Sequence, residues 1–103
     1  MTEILIDYQN KRIRLTEERR SHILQHSEVR ELEAEFGKVL KTPEFVVQSR
    51  TDDNVNLYYR YYLKTQVGDK WLCVVVKDIV DDSFILTAYL TDKIKTGEII
   101  YFE

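Results

Sequence analysis

Two histidines, His22 and His26, and the nearby Arg19 are the residues of this chain whose types and spacing best suit chemistry. On a helix of 3.6 residues per turn they lie on one side with Leu15. A helix that packs on a core carries apolar residues at such positions, and polar ones dominate here. Histidine transfers protons near neutral pH, and arginine holds a phosphate through two hydrogen bonds. The pattern therefore predicts polar chemistry on this helix face.

The same spacing leaves two other interpretations open. Histidines four residues apart on a helix form half of a zinc site, although no acid or thiol convincingly completes the set of ligands. A helix histidine is also often a surface or capping residue with no chemical role. We therefore predict no metal and no cofactor, and we treat proton transfer by His22 and His26 as a hypothesis beside these two.

The composition indicates the class of protein. A chain of 103 residues that is 44% hydrophobic and 32% charged suits one small folded domain, residues 1–103. It has no apolar run of membrane-spanning length and no signal-peptide pattern, so we predict a cytoplasmic protein without membrane contact. The single cysteine, Cys73, fits a reducing compartment. The net charge of −3 argues against a general nucleic-acid coat, so any site for a polyanion must be local.

The elements that must position these residues follow from periodicity. Thr16 is a good N-cap, which predicts a helix from 17 to 25, and a second helix restarts at Ser27 or Glu28 and stops before Pro43. A short hairpin precedes these helices. After Pro43 the apolar period changes to two, which predicts strands at 44–50, 55–66, 71–77 and 83–91, then a helical turn at 92–97 and an extended segment at 98–102. Helices followed by hairpin-linked strands indicate an α+β fold with helices on one side of an antiparallel sheet.

Strand alternation sorts side chains between the two faces of that sheet. It predicts a core face on the last strand made of Phe84, Leu86, Ala88 and Leu90. It also predicts a polar surface on the sheet, with the histidines brought to its rim by the first helix: Arg60, Thr87, Tyr89 and Arg50. Tyr58 is a candidate to stack on a base, since tyrosine stacks on unpaired bases in RNA complexes.

Structural interpretations of the same residues stand beside these. The tyrosines of 58–62 suit a half-exposed strand, because aromatic residues favour strands in any case. Thr87 and Tyr89 are, by default, cross-strand packing residues. Cys73 in its apolar run is most simply a buried small hydrophobe. The acidic residues at 78, 81 and 82 suit a solvated loop with weak metal potential.

The order of several short motifs resembles the phage-associated nuclease-like families of the barnase–EndoU–colicin–RelE superfamily. The motifs span residues 11–97, and their order and spacing are together more specific than any one of them. They are Leu15-Thr-Glu-Glu-Arg19-x-x-His22-Ile-Leu-x-His26, Thr42-Pro43-Glu44, Tyr59-Arg60-Tyr61, Val74-Val-Val-Lys77 and Ile85-Leu-Thr87-Ala-Tyr89.

The resemblance implies two N-terminal helices on one side of a four-stranded antiparallel sheet. It also implies a metal-independent endoribonuclease, usually a toxin, that forms a 2′,3′-cyclic phosphate by transesterification and is neutralised by an antitoxin or immunity protein. Carried onto this sequence, it makes His22 the leading acid or base and His26 a second proton-transfer or orienting group. Arg19 and Arg60 become phosphate ligands, and Thr87 and Tyr89 line the site.

The sequence thus supports two main functional hypotheses and a weaker third. The first is a small RNA-cleaving domain, and the second is a non-catalytic relative that binds RNA or a protein partner through the same cleft. The third is a purely structural domain. The oligomeric state and the RNA target are open at this stage.

Overall fold

The structure is a computed structural model that describes residues 2–103. Three short α-helices and one 3₁₀ turn lie between the second and third strands: α1 (Glu17–Ile23), α2 (Ser27–Arg30), the 3₁₀ turn Glu33–Glu35 and α3 (Phe36–Lys41). The strands are β1 (Glu3–Ile6), β2 (Arg12–Leu15), β3 (Phe45–Ser49), β4 (Val55–Thr65), β5 (Gly68–Ile79), β6 (Asp82–Thr91) and β7 (Gly97–Phe102). No helix in this part of the chain has the length and apolar character needed to cross a membrane.

The predicted four-stranded antiparallel sheet with N-terminal helices packed on one side is wrong. All seven strands form one mixed sheet in the order β1-β2-β6-β5-β4-β3-β7. The N-terminal hairpin joins one edge through a parallel pairing of β2 with β6, and β7 joins the other edge antiparallel to β3. The edges of a four-stranded sheet would leave backbone N–H and C=O groups unpaired, and these extended segments satisfy them.

The helical region is also more broken than the apolar period predicts. The expected helix at 17–25 ends at Ile23, where the backbone tightens into three-residue turns from Gln25 N to His22 O and from His26 N to Ile23 O. The expected second helix is divided into α2, the 3₁₀ turn and α3. Apolar residues that recur at helical spacing along this segment are nevertheless buried, as Val29, Phe36 and Leu40 show, whereas Leu32 is half-buried. Burial was therefore predictable from the period, whereas helix continuity was not.

The sheet has two different faces. The helix-bearing face packs its side chains against the helices in the larger core, whose strand members include Tyr58, Leu72, Val74 and Ile85. The open face carries a smaller cluster without helical residues, built around Val47, Leu57, Tyr59, Cys73 and Val75. The predicted helical turn at 92–97 is absent, and the segment between β6 and β7 instead places Ile94 against this smaller cluster.

A β-bulge in β6 changes which residues lie on each face. Val75 pairs with Thr87 but the next residue, Val76, pairs with Ile85, so Leu86 is an extra residue in the strand. The predicted core face is therefore wrong at this point. Leu86 packs in the open-face cluster, whereas Ala88 and Leu90 pack with the helices. A bulge interrupts the two-residue period without any mark in the apolar pattern.

Candidate functional site

His22 lies on α1, and neighbouring side chains explain both where this helix begins and how it packs on the sheet. The Thr16 hydroxyl caps the helix by accepting a hydrogen bond from the Arg19 backbone N–H at 3.2 Å. Ile23 is buried and holds α1 against β6. His22 and Arg19 are both exposed on this helix, and in residues 2–103 no ion pair engages either side chain. The imidazole is therefore accessible to a substrate.

His26 does not share the helix of His22. It occupies the N-cap position of α2, makes no side-chain capping bond, and its Nδ1 lies 3.9 Å from a carboxylate oxygen of Glu28. The predicted single helical face through Leu15 and His26 is wrong, because Leu15 ends β2 and His26 follows the end of α1. Within residues 2–103, no three His, Cys, Asp or Glu side chains are placed to share a metal ion.

Arg60 lies on β4 on the helix-bearing face, because it pairs with Leu72 of the core that the helices cover. Its guanidinium donates a hydrogen bond to the Thr42 carbonyl oxygen at 2.6 Å, just beyond the end of α3. Of the predicted site, Arg60 and the residues of α1 therefore share one side of the sheet.

Thr87 and Tyr89 lie on the opposite, open face. Thr87 pairs with Val75 and Tyr89 with Cys73, and both partners belong to the open-face cluster. The predicted polar surface that combines them with Arg60 does not form. The Tyr89 hydroxyl is buried and has no hydrogen-bond partner within the described residues. The pKa of Tyr89 is raised, mainly by burial and secondly by the nearby Cys73 thiol.

Neither Tyr58 nor Arg50 has the environment expected of a residue that binds substrate. Tyr58 is 2% exposed, and its hydroxyl donates to the buried Asp7 carboxylate at 2.7 Å. Its ring therefore has no free face on which a base could stack. Arg50 is exposed beyond the end of β3 and lines a polar cleft beside Gly97 and Glu98, away from the helices.

No family model, no curated protein and no solved structure matches this chain. The resemblance described above therefore stays a prediction, and the geometry of the residues carries the functional argument from here.

A polar cluster next to Arg60, formed by Tyr62 and Glu35, was not predicted from the sequence. Tyr62 lies two residues further along β4, and its hydroxyl donates to Glu35 Oε1 at 2.9 Å. Burial, and then the hydrogen bond to Glu35, raise the pKa of Tyr62, while the adjacent Arg60 opposes the shift. Glu35 belongs to the 3₁₀ turn before α3, so only the tertiary structure brings it to β4.

The basic N-terminal hairpin proves to be neutralised by the acidic residues that were expected to form a solvated loop. Lys11 Nζ lies 2.5 Å from Asp78 Oδ2, and Arg14 donates to both carboxylate oxygens of Asp82 at 3.1 and 2.9 Å. The hydrogen bond from Arg14 lowers the pKa of Asp82. These pairs line a cleft of about 390 Å³ together with Arg12. They leave little free positive charge there for a polyanion.

Proposed function

We propose that this chain is a metal-independent, toxin-like endoribonuclease that cleaves RNA by attack of the ribose 2′-OH on the adjacent phosphodiester. The observation that carries the proposal is the accessible His22 imidazole on the same side of the sheet as the Arg60 guanidinium. The motif order that resembles the barnase–EndoU–colicin–RelE superfamily supports it.

In this proposal, His22 transfers a proton to or from the ribose or the leaving oxygen. Arg60, helped by Arg19, holds the phosphate as negative charge builds on it. His26 lies close by in sequence and serves as an accessory group. Thr87 and Tyr89 lie on the open face and take no part in the proposed site.

The proposal also names the setting in which the enzyme would act. RNA is the substrate, no cofactor is required, and a protein antitoxin or immunity protein is the partner expected of a toxin. We place the enzyme in the cytoplasm, where a reducing environment keeps the buried Cys73 a free thiol.

The test is cleavage of total cellular RNA in EDTA by the purified wild type, His22→Ala and Arg60→Ala. We expect the wild type to release 2′,3′-cyclic phosphate ends, and each variant to be slower by about 100-fold or more, since a proton-transfer group contributes about 10²–10⁴-fold. Arg12→Ala is the matched control, an exposed arginine of the N-terminal hairpin. It should cleave at the wild-type rate.

Two outcomes would oppose the proposal. Equal cleavage by all four proteins would place the activity elsewhere or in a contaminant. Absence of cleavage by the wild type at any concentration would exclude the enzyme and favour a binding protein.

A non-catalytic RNA-binding domain is the second candidate, favoured by the aromatic residues of the open face. Tyr61 is 43% exposed, and its ring lies edge-on to Trp71 with a centroid distance of 5.0 Å. Exposed aromatic rings on a sheet can stack unpaired bases. Binding of single-stranded RNA that quenches Trp71 fluorescence, weakens with salt and is reduced by Tyr61→Ala, without cleavage, would support this candidate.

A further inference from the structure

We infer that the free edge of β1 binds an extended segment of another protein, in which lysine or arginine alternates with aliphatic residues on the side that faces the helices. The inference does not depend on the proposed function, because no residue of the proposed ribonuclease site takes part in it. β1 is the first strand of the sheet, and within residues 2–103 it pairs only with β2. A strand at such an edge presents backbone donors and acceptors to another chain.

The direction of these backbone groups follows from the turn that joins β1 to β2. The Asp7 N–H donates to the Lys11 carbonyl oxygen at 3.0 Å, and the two strands keep this register throughout. Hydrogen-bonded residues alternate along an antiparallel pair, so the backbone N–H and C=O groups of Ile4 and Ile6 point away from β2. They are therefore available to a further strand.

β1 lacks the proline, lysine or bulge with which proteins often protect an edge strand. Ile4 and Ile6 alternate with Leu5, which packs with the helices, so they lie on the open face, where they are 41% and 39% exposed. The opposite edge strand, β7, is interrupted by a bulge where it pairs with β3. β1 is therefore the better of the two edges for the addition of a strand.

An apolar cleft lies beside β1 on the helix-bearing side. It has a volume of about 240 Å³ and is lined by Leu5, Leu15 and Phe36, together with Gly37 of α3. It adjoins a second cleft of about 480 Å³, since Glu3 and Leu15 line both. Side chains of an added strand that point the same way as Leu5 would therefore enter an apolar cleft.

The rim of these two clefts is acidic. Glu3, Glu17 and Glu33 line it, and Arg20 is the one cation among the lining residues that the structure describes. Arg20 already forms ion pairs with Glu17 and Glu33, whereas Glu3 has no ion-pair partner within residues 2–103.

This combination of charge and apolar surface selects the occupant. A segment that presents lysine or arginine beside aliphatic residues complements the acidic rim and the apolar lining, whereas the phosphates of RNA would be repelled. A second copy of this chain fits less well, because it has a net charge of −3 and its own β1 would bring another Glu3 to the rim.

The probe for this site is the peptide acetyl-Lys-Thr-Leu-Thr-Lys-Thr-Leu-Thr-Lys-amide, which places its lysines and leucines on one face when it is extended. One control peptide has glutamate in place of each lysine. A second control has N-methylated interior amides, which removes the donors that a β-strand needs and keeps the side chains. The matched protein variants are Glu3→Lys and Glu98→Lys, of which the second makes the same charge change on β7, at the other edge of the sheet.

Calorimetric titration at about 0.15 M salt, where distant charges are screened, measures the affinity. We expect the wild type to bind the lysine peptide with a Kd below about 1 mM and to bind neither control peptide measurably. Glu3→Lys should weaken binding by about fivefold or more, whereas Glu98→Lys should stay within about twofold of wild type. Hydrogen exchange gives the location: the amides of Ile4 and Ile6 should exchange at least about fivefold more slowly with the peptide bound, and those of β7 at an unchanged rate.

Several results would overturn the inference. Absence of binding by the wild type, equal binding of the glutamate peptide, or equal affinity of Glu3→Lys and wild type would each do so. Binding that leaves the exchange of Ile4 and Ile6 unchanged would place the peptide elsewhere. If Ile4 and Ile6 become protected at high protein concentration without peptide, the occupant is a second copy and the inference is wrong. None of these results bears on RNA cleavage, which is measured separately.

Discussion

Asp7 shows at the scale of one residue how this fold uses a buried charge. Its side chain is 0% exposed, and its carboxylate accepts hydrogen bonds from the backbone N–H groups of Gln9 and Lys11 at 2.9 Å each. The Tyr58 hydroxyl supplies the third bond. Because a buried carboxylate is costly unless it is hydrogen-bonded, these contacts join the first turn of the chain to the middle of β4.

We predict that Tyr58→Phe lowers the free energy of unfolding by about 1.5–3 kcal/mol, the usual range for a hydrogen bond to a charged group. The substitution keeps the ring and leaves Asp7 with one partner fewer. Urea denaturation measures the loss. Tyr61→Phe, at an exposed tyrosine of the same strand, should change the unfolding free energy by less than about 0.5 kcal/mol. Equal losses in both variants would contradict this account of Asp7.

Gly97 allows the strand β7 to pair with β3. It lies opposite Ser49 in the β3–β7 pair. A Cβ at this position would lie 2.7 Å from Val47 Cγ1 and would overlap the Gln48 carbonyl oxygen. The two strands can therefore approach each other only because residue 97 has no side chain.

We predict that Gly97→Ala destabilises the protein by about 1–3 kcal/mol, as expected for a clash in a packed region. Hydrogen exchange should show lost protection in β7 while β5 stays protected. Gly37→Ala on α3 is the matched control, since its Cβ meets only Leu5 Cδ2 at 3.7 Å. Alanine is the better helix former, so this variant should gain about 0.5–1 kcal/mol. Protection of β7 unchanged in Gly97→Ala would refute the predicted clash.

Five tyrosines distributed over the whole molecule have a raised pKa. Burial is the largest cause of the raised pKa of Tyr8, Tyr58, Tyr59, Tyr62 and Tyr89. For Tyr59, burial raises the pKa to about 12. In the folded state these hydroxyls hold their protons more tightly than in the unfolded chain, where tyrosine ionises near pH 10.

We predict that stability does not depend on these tyrosines below about pH 10 and falls steeply between about pH 10 and 12. The unfolded chain loses tyrosine protons there first, so each pH unit costs about 1.4 kcal/mol for every tyrosine that stays protonated in the fold. Urea unfolding at pH 8, 9, 10 and 11 measures the slope. Tyr59→Phe should make the slope shallower by one proton. A constant unfolding free energy up to pH 11 would contradict the prediction.

Several local features of this protein follow directly from its amino-acid sequence. It predicted the Thr16 cap and a strand at 71–77 with an apolar run, in which Leu72–Val76 are buried. These features depend on side chains close together in the chain, on a helical period of 3.6 or on a strand period of two.

Which distant residues come into contact depends on the tertiary structure. The Leu86 bulge and the long-range pairing of β2 and β7 fix the faces and edges of the sheet, and neither leaves a mark in local periodicity. For the same reason, Thr87 and Tyr89 were predicted on the surface that carries Arg60, whereas Glu35 was not. Contacts between residues far apart in sequence depend on the register and packing of the whole sheet, which no single segment encodes.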